Sequence, residues 1–430
     1  MRGLILTLGL VATMMLCGVD VSAQQRKGEE PHRTLLIPYP TADAAKEMSM
    51  SRQRYMQPIE EWTEVDGVLR GEFTFPFSWL ERQVFIRVEG VARPYELFVN
   101  GKRAGGSTNG FAAAEYNITK ISKEDKNRVE LRLLGGEDVA PIECFEHTAP
   151  RPIAYIISQP RVRVRDIAYK TNIDVGVVNA DFSVVMQNET LGKKVSRIYY
   201  ELYLNDTLRL DAGHRDVELG MYGTDTMRFG SPVVDSLLWS SERPTRLSLR
   251  LKNRIEGRDV EFYDVAVALR KLEYADGKML VNNKESAMEW REVSPNATIA
   301  DIEQLYNDGI RTIRFTAGAV KDVVLSYCDE KGIYVAITAP VNSSRSGTSR
   351  KRDGNPSNDP KWCDEYVKRT AQMIHTTKRH PSVVAYYLAD DSANGICLYE
   401  SYLVAKTLTA IPVFYDDGGK EWNSDNREFR

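Results

Sequence analysis

The sequence predicts a multidomain protein in which two β-sandwiches precede a domain of alternating strands and helices. The chain has 430 residues, which exceeds the roughly 250–300 residues at which one hydrophobic core stops growing. Short segments rich in Val, Ile, Thr and Tyr fill the first two-thirds of the chain, and these residue types favour strands. After Leu272 strand-like and helix-like patterns alternate, which is typical of βα units in a parallel sheet.

Residues 34–160 form the first predicted domain, a β-sandwich of jelly-roll type. Glu72–Phe75 and Tyr95–Val99 alternate apolar and polar residues, and the second segment is followed by Asn100-Gly101. An Asn-Gly pair after an alternating segment indicates a tight hairpin, because both central residues of a type I′ turn need positive φ. Short strands broken by such turns fit a jelly roll.

Residues 161–271 form the second predicted domain. Its strand patterns recur at sandwich-like spacing and lie at Val162–Arg165, Phe182–Met186, Tyr199–Leu204, Leu247–Leu251 and Val265–Leu269. A stretch of about 110 residues with about seven strands is typical of an immunoglobulin-like β-sandwich.

Residues 272–430 form the third predicted domain, in which strands and helices alternate. The predicted strands are Thr312–Phe315, Ile333–Ile337, Val383–Leu388 and Pro412–Tyr415. The predicted helices are Ile299–Asn307, Val320–Lys331, Trp362–Lys378 and Glu400–Thr409. We therefore expect a parallel sheet built from βα units.

The composition excludes several classes of protein. A hydrophobic content of 42% with 27% charged residues excludes wholesale disorder. A net charge of −3 provides no basic surface for nucleic acid or for an anionic membrane. The four cysteines of the mature chain are widely spaced and form no CxxC pair, so we expect no metal cluster. We expect them to be small buried side chains, although a disulfide stays open. These cysteines are Cys144, Cys328, Cys363 and Cys397.

The first 23 residues have the pattern of a secretory signal peptide. Arg2 precedes an apolar segment at Leu4–Leu16, and Val21-Ser22-Ala23 supplies small residues for cleavage. No later segment reaches the ~18 uncharged apolar residues of a membrane span. We therefore expect a secreted protein, periplasmic or extracellular. Lipid anchoring at Cys17 is disfavoured because Leu16, which is not a small residue, precedes it.

Several motifs occur in a fixed order along the chain. In the predicted sandwiches they are Val88–Val91, Leu97–Lys102, Tyr116–Thr119 and Leu238–Pro244. In the last domain they are Leu269–Glu273, Asp276–Asn282, Gly309–Phe315, Cys328–Val335 and His380–Val384. Together these motifs resemble glycoside hydrolase family 2, the family of bacterial β-galactosidases, β-glucuronidases and β-mannosidases. The resemblance implies a (β/α)8 barrel as the third domain and a β-linked glycan or oligosaccharide as partner. We expect neither a cofactor nor a metal.

The chemistry of such a family needs two carboxyl groups, about 5–5.5 Å apart in a retaining enzyme. The family's acid/base is the Glu of a Leu-Gly-Asn-Glu motif, and this chain has Leu388-Ala389-Asp390-Asp391 there. The resemblance therefore implies that Asp391 occupies the acid/base position. Asp390 occupies the position of an Asn that donates a hydrogen bond to the sugar 2-hydroxyl, which implies a substrate-binding role.

Three departures from the family pattern predict impaired hydrolysis. Asp391 is one methylene shorter than Glu, which withdraws the proton donor by roughly 1–1.5 Å, and such a displacement can cost on the order of 10²-fold in rate. Asp390 replaces a hydrogen-bond donor by a carboxylate. Arg314 matches the family's arginine, which implies substrate binding, but Thr316-Ala317 stands in place of the family's Ser-His.

The length of the last domain predicts an incomplete barrel of about five βα units. By the resemblance, Pro412–Tyr415 is strand five of the family's barrel, and the sequence ends at Arg430, whereas the family's nucleophile closes a seventh strand. We therefore expect the nucleophile to be absent. Three explanations stay open: a partner chain covers the open barrel, for instance in a homo-oligomer; the chain's own helices cover an open sheet; or the gene is truncated.

Other interpretations of these residues also stay open. Asp390 and Asp391 are suited to cap the loop or helix that follows, and Arg314 is suited to pair with a strand-end carboxylate. An active β-galactosidase-like enzyme would use Asp391 with a second carboxylate, for which Glu292 and Asp416 are candidates. The turn at 416–419 is more typical of a solvated turn than of a cation site. A non-catalytic interaction protein of the cell envelope is the third alternative, and the sequence does not identify the sugar.

Overall fold

The computed structural model describes residues 29–48, 53–145, 151–174, 177–347, 349–351, 354–416 and 422–425. The predicted signal peptide and positions 417–419 of the predicted turn lie outside these residues. Within the described residues, every helix is too short or too polar to cross a lipid bilayer.

The first part of the fold is an antiparallel β-sandwich preceded by the short helix α1 (Ala42–Lys46). Its strands are β1 (Met56–Pro58), β2 (Thr63–Val65), β3 (Val68–Phe75), β4 (Gln83–Glu89), β5 (Tyr95–Val99), β6 (Lys102–Ser107), β7 (Ala114–Asn117), β8 (Asp125–Leu133) and β9 (Ile153–Gln159). They form two sheets with the orders β1-β9-β4-β7 and β2-β3-β8-β5-β6. The predicted hairpin is confirmed, since Asn100 (φ 51°) and Gly101 (φ 75°) join β5 to β6.

A second antiparallel sandwich follows directly. Its strands are β10 (Val162–Asp174), β11 (Val177–Asn188), β12 (Lys194–Leu204), β13 (Leu208–Leu219), β14 (Thr224–Val233), β15 (Leu247–Ile255) and β16 (Arg258–Val267). The sheet β10-β11-β14 packs against the sheet β13-β12-β15-β16. The inward residues alternate along the strands, as a sandwich with one solvated face per sheet requires.

The last part of the fold is a parallel β/α region preceded by the antiparallel strands β17 (Leu272–Ala275), β18 (Lys278–Val281) and β19 (Lys284–Glu285). The parallel strands are β20 (Arg291–Val293), β21 (Thr312–Phe315), β22 (Tyr334–Thr338), β23 (Val383–Tyr387) and β24 (Val413–Phe414). The helices are α2 (Ile299–Asn307), α3 (Asp322–Lys331), α4 (Cys363–Thr377) and α5 (Ile396–Leu408). The five strands lie side by side in chain order, so the predicted fold class is confirmed.

The two faces of the parallel sheet are covered by different elements. Helices α2 to α5 pack on one face, where side chains such as Ile302, Tyr366 and Leu398 contact the strands. On the other face, Met279 and Val281 of β18 pack with Phe414 and its neighbours. One of the three open explanations was an open sheet covered by the chain's own helices. The helices cover one face only, and strands β17 to β19 cover part of the other face.

Helix α4 joins the parallel region to the first sandwich. Arg369 is fully buried; it is ion-paired with Glu365 and with Glu143 of the first sandwich, and it donates to the carbonyl oxygen of Pro340 at 2.7 Å. Because a buried guanidinium needs most of its N–H groups satisfied, this contact fixes the loop after β22 relative to the sandwich.

Two cysteines depart from the prediction of small buried side chains. Cys363, at the start of α4, and Cys397, at the start of α5, form a disulfide. The separation of 34 residues gives no sequence signal for this pairing. The two cysteines meet because helices α4 and α5 pack together on the sheet.

We expect the disulfide to stabilise the parallel region. Closing a loop of 34 residues should contribute about 3–4 kcal/mol through the entropy of the unfolded chain. The double variant Cys363→Ser/Cys397→Ser should therefore unfold at a lower urea concentration than the native chain. A reductant should shift the native midpoint toward that of the variant and leave the variant unchanged; equal midpoints for all samples would contradict the pairing.

His380, which precedes β23, lies buried between two carboxylates. Its Nδ1 lies 2.7 Å from Asp329 Oδ2 and its Nε2 lies 3.2 Å from Asp322 Oδ1. Burial lowers the pKa of His380, but the two carboxylates outweigh burial and raise the pKa from 6.5 to about 10. These contacts give His380 a structural role at the turn into β23.

The His380 cluster should make stability depend on pH. Because the pKa is higher in the folded state, the stabilisation is complete below pH 6.5 and is lost as the pH rises toward 10. In urea unfolding at pH 6, 8 and 10, the difference in unfolding free energy between the native chain and His380→Gln should shrink as the pH rises. A difference that stays constant over this range would contradict the assignment.

Candidate functional site

The carboxyl ends of the parallel strands bring a group of polar side chains together. Glu292 lies on β20, Arg314 on β21 and Thr338 on β22, while Asp390 follows β23 and Asp416 follows β24. In βα folds these strand ends form the surface on which sites are built. The five residues come from five adjacent strands, and we call them the strand-end cluster.

Arg314 is the centre of the strand-end cluster. Its Nη1 donates to Asp416 Oδ1 at 2.7 Å, and its Nη2 donates to Asp416 Oδ2 at 3.0 Å and to Asp390 Oδ1 at 2.9 Å. Its Nε donates to Thr338 Oγ1 at 3.3 Å. The guanidinium lies 4.0 Å from the ring centroid of Tyr387 and its side chain is only 9% exposed. The interpretation of Arg314 as an ion-pair partner of strand-end carboxylates is confirmed.

Asp390 connects the strand-end cluster to the loop after β21. Its Oδ2 accepts a hydrogen bond from the backbone N–H of Ala317 at 3.2 Å. Burial raises the pKa of Asp390, and Arg314 together with the N–H of Ala317 opposes that rise. Ala317 occupies the position where the family has a histidine, so a short side chain here lets the loop backbone approach the carboxylate.

The interpretation of Asp390 and Asp391 as caps of the following helix is wrong. Helix α5 begins at Ile396, and its N-cap residue is Gly395. Asp390 instead accepts hydrogen bonds from Arg314 and Ala317. Residues 392–395, which have no regular secondary structure, separate Asp391 from α5.

Asp391 is exposed and adopts a φ of 36°. This lies in the left-handed region, which Asp and Asn tolerate better than most residues. In the described part of the chain, the ion pairs of Arg314 include Asp390, Asp416 and Glu292 but not Asp391. The structure thus joins two of the predicted site residues, Arg314 and Asp390, and leaves Asp391 at the solvent side of the same loop.

The first sandwich contributes to the rim of this site. Asn342, after β22, forms β-bridges with Glu143 on one side and with Asp390 on the other. The N–H of Asn342 donates to Ile142 O at 2.9 Å, and the N–H of Asp390 donates to Val341 O at 2.9 Å. The segment around Glu143 therefore extends the rim beyond the parallel sheet.

Sequence reasoning missed two contributors to the site. Tyr387 stacks on Arg314, and alternation along β23 could have indicated it, because its neighbour Tyr386 is fully buried on the helix side. Asn342 lies in a loop without any motif, so no local signal predicts its role. Among the described residues, no group of three or more His, Cys, Asp or Glu is arranged to hold a metal ion.

Residues 276–424 match the family model described as glycosyl hydrolases family 2, TIM barrel domain. The match covers the parallel strands and the strand-end cluster, and it covers part of the family's barrel. This part of the chain belongs to glycoside hydrolase family 2. The family resemblance predicted from the motifs is confirmed.

Curated proteins are similar to this chain in sequence, and solved structures are similar to it in fold. A β-galactosidase of Priestia megaterium is 22% identical over 372 residues, which are 80% of this chain and 36% of that protein. A putative β-galactosidase from Bacteroides fragilis has a TM-score of 0.70 at 18% identity and covers 83% of this chain and 57% of that one. A β-glucuronidase of Bacteroides uniformis has a TM-score of 0.69 at 16% identity, covering 81% and 46%. The chain spans about a third of the length of the curated relatives that it matches.

Loss of Arg314 should destabilise the parallel region. Arg314→Gln would leave Asp390 and Asp416 facing each other without a cation. Removing one partner of a buried ion pair costs ~3–5 kcal/mol. Because Asp416 is partly exposed, the free energy of unfolding should fall by about 2–3 kcal/mol. Urea unfolding measures the change. Arg197→Gln is the matched control, because its bidentate pair with Asp216 is exposed and should matter little. Equal effects of the two variants would contradict a central role for Arg314.

Proposed function

We propose that this chain is an exported protein that binds a β-linked carbohydrate at its strand-end cluster and hydrolyses it poorly or not at all. The observation that carries the proposal is the pairing of Arg314 with Asp390 and Asp416 at the strand ends of a family 2 barrel region. Guanidinium and carboxylate groups that converge in an open site are suited to the hydroxyl groups of a sugar.

Impaired proton donation is the first argument for weak hydrolysis. The acid/base position holds Asp391, whose side chain is shorter than the family's Glu. It is exposed to water, whereas a general acid works best in a site that excludes water. The carboxylate of its neighbour Asp390 already accepts hydrogen bonds from Arg314 and from the backbone N–H of Ala317.

The engagement of the other carboxylates is the second argument. Both oxygens of Asp416 accept hydrogen bonds from Arg314, and this reduces the availability of their lone pairs for attack on an anomeric carbon. Glu292 lies 3.9 Å from Arg314 Nη1 and is 64% exposed. Neither residue matches the family's nucleophile in sequence.

Export is supported by two independent features. The first 23 residues have the pattern of a signal peptide. The disulfide between Cys363 and Cys397 is typical of proteins in oxidising compartments. Together they favour a periplasmic or extracellular location.

Hydrolysis assays test the proposed function. The purified chain should turn over 4-nitrophenyl β-galactoside and β-glucuronide at least on the order of 10²-fold more slowly than an active family 2 enzyme, given the displaced proton donor. Sugar binding, measured by calorimetry, should persist in Asp391→Ala and be weakened in Arg314→Gln.

Robust turnover that Asp391→Ala abolishes would contradict impaired hydrolysis. It would favour the alternative of an active β-galactosidase-like enzyme, and labelling by a 2-fluoro-glycoside would then identify its nucleophile. Absence of any sugar binding would contradict the proposal as a whole and favour an interaction protein.

A further inference from the structure

A cleft lies on the outer face of the second sandwich, beside helix α1. Its volume is about 450 Å³, within the ~300–1,000 Å³ range of pockets that hold small molecules. Its lining includes Ala42 and Ala45 of α1, Tyr199 of β12, Lys252 of β15 and Phe262 of β16. We call it the α1 cleft, and none of its lining residues belongs to the strand-end cluster.

Helix α1 is fixed beside the sheet by the segment that precedes it. Tyr39 and Phe262 exchange two backbone hydrogen bonds, of 2.8 and 3.0 Å. Ala44 and Ala45 are buried, and they pack with Tyr39 and with the partly buried side chain of Phe262. The α1 cleft therefore has an apolar wall that is held in place before any ligand binds, as is usual for small-molecule sites.

A row of cross-strand neighbours forms the floor of the α1 cleft. Tyr199 lies on the outer face of β12, between the core residues Ile198 and Tyr200. It pairs with His214 of β13 on one side and with Lys252 of β15 on the other. Its ring centroid lies 5.3 Å from that of His214 and 4.2 Å from Lys252 Nζ. The cation–π contact keeps the ammonium group of Lys252 at the floor.

Lys252 has hydrogen-bonding capacity that the fold does not use. An ammonium group has three N–H donors, yet in the described part of the chain no atom accepts a hydrogen bond from Lys252. Its partner oxygen, Asp259 Oδ2, lies 3.9 Å away, which is beyond hydrogen-bond distance. Arg254 lies closer to the same carboxylate, at 2.6 Å. Lys252 can therefore donate to an anionic group that enters the cleft.

The α1 cleft also provides hydrogen-bond acceptors. Glu201, which lines it, accepts a hydrogen bond from Arg209 on Oε1 at 3.4 Å. Among the residues that the structure describes, none donates to Glu201 Oε2, so this oxygen can accept from a hydroxyl group. The other cation of the lining, Arg250, is already paired with Asp206 and Asp264. A complementary ligand therefore carries an anionic group, hydroxyl groups and an apolar face.

We infer that the α1 cleft binds a saccharide unit that carries one anionic group, either a carboxylate or a sulfate ester. Lys252 pairs with the anionic group, Glu201 accepts from a ring hydroxyl, and the C–H groups of the ring lie against the wall that α1 forms. This is a second carbohydrate site in a different domain from the strand-end cluster. It goes beyond the proposed function and does not depend on it.

Calorimetric titrations of the full chain with α-linked probes test this inference. Methyl α-galactoside, its 6-sulfate and methyl α-galacturonide share one ring and differ at carbon 6, and their α-linkage distinguishes them from the β-linked sugars proposed for the strand-end cluster. At least one anionic probe should bind tenfold or more tightly than the neutral probe, and the tighter of the two identifies the anionic group. Inorganic sulfate should bind no more tightly than the neutral sugar. Higher salt should reduce the preference for the anionic probe.

Variants locate the bound probe. Lys252→Met keeps the aliphatic stem and removes the charge, so it should reduce the preference for the anionic probe to about twofold. Lys170→Met is the matched control, because Lys170 of β10 also lies 3.9 Å from an aspartate, on the opposite sheet, and it should leave the affinities unchanged. Ala212→Leu, at an exposed position of β13 that lines the cleft, should weaken binding of all three sugars. Thermal unfolding checks that each variant is folded, and Ala212→Leu keeps the test informative if Lys252→Met is not.

Several outcomes would overturn the inference. Absence of binding by both anionic probes, equal affinities for neutral and anionic sugars, or a preference that persists in Lys252→Met would each do so. Inorganic sulfate binding as tightly as the sugars would indicate an anion-binding surface without sugar recognition. Loss of probe binding in Arg314→Gln would assign the ligand to the strand-end cluster instead. The proposed function is tested separately, by its own β-linked substrates.

Discussion

The ion pairs of Arg314 are the interaction on which the candidate site depends. One guanidinium holds the loops after β23 and β24 through Asp390 and Asp416, and it stacks on Tyr387 within β23. These contacts hold the carboxyl ends of β21, β23 and β24 together at one edge of the sheet. An unpaired carboxylate in a partly buried position lowers the stability of the fold. The positions of both aspartates therefore follow from the position of Arg314.

A second buried guanidinium attaches this edge to the first sandwich. Arg369 pairs with Glu143 and donates to the carbonyl oxygen of Pro340, while Asn342 bridges Glu143 and Asp390. The loop that carries Asp390 is therefore supported from both sides. This explains how a loop with little regular structure can hold a carboxylate in a defined place, and it makes the sandwich part of the rim of the site.

The strand ends differ from the family pattern at two positions. Where the motif of the family supplies an amide, this chain supplies Asp390, and the adjacent loop offers a backbone N–H from Ala317 in place of a histidine side chain. The carboxylate at position 390 is therefore held by the guanidinium of Arg314 on one oxygen and by a backbone N–H on the other.

Local patterns were sufficient for some of the helices and strands, while helix α5 begins four residues before its predicted start at Glu400. The strand Thr312–Phe315 and the helix Ile299–Asn307 have the predicted bounds, because periodicity and capping are local properties. The Asn-Gly hairpin was predictable since positive φ at two residues is a local demand. Capping by Asp390 was a plausible local interpretation, and it was wrong because a distant arginine competed for the same carboxylate.

The sequence by itself determined the order of the domains, the family and the chemical identity of the residues at the strand ends. Only the tertiary structure decided which of them meet: Arg314 reaches Asp416 across 102 positions of the chain, and Cys363 reaches Cys397 through the packing of two helices. The physical reason is that ion pairs and disulfides depend on distance in space. That distance is set by sheet order and helix packing, which no local segment of the chain specifies.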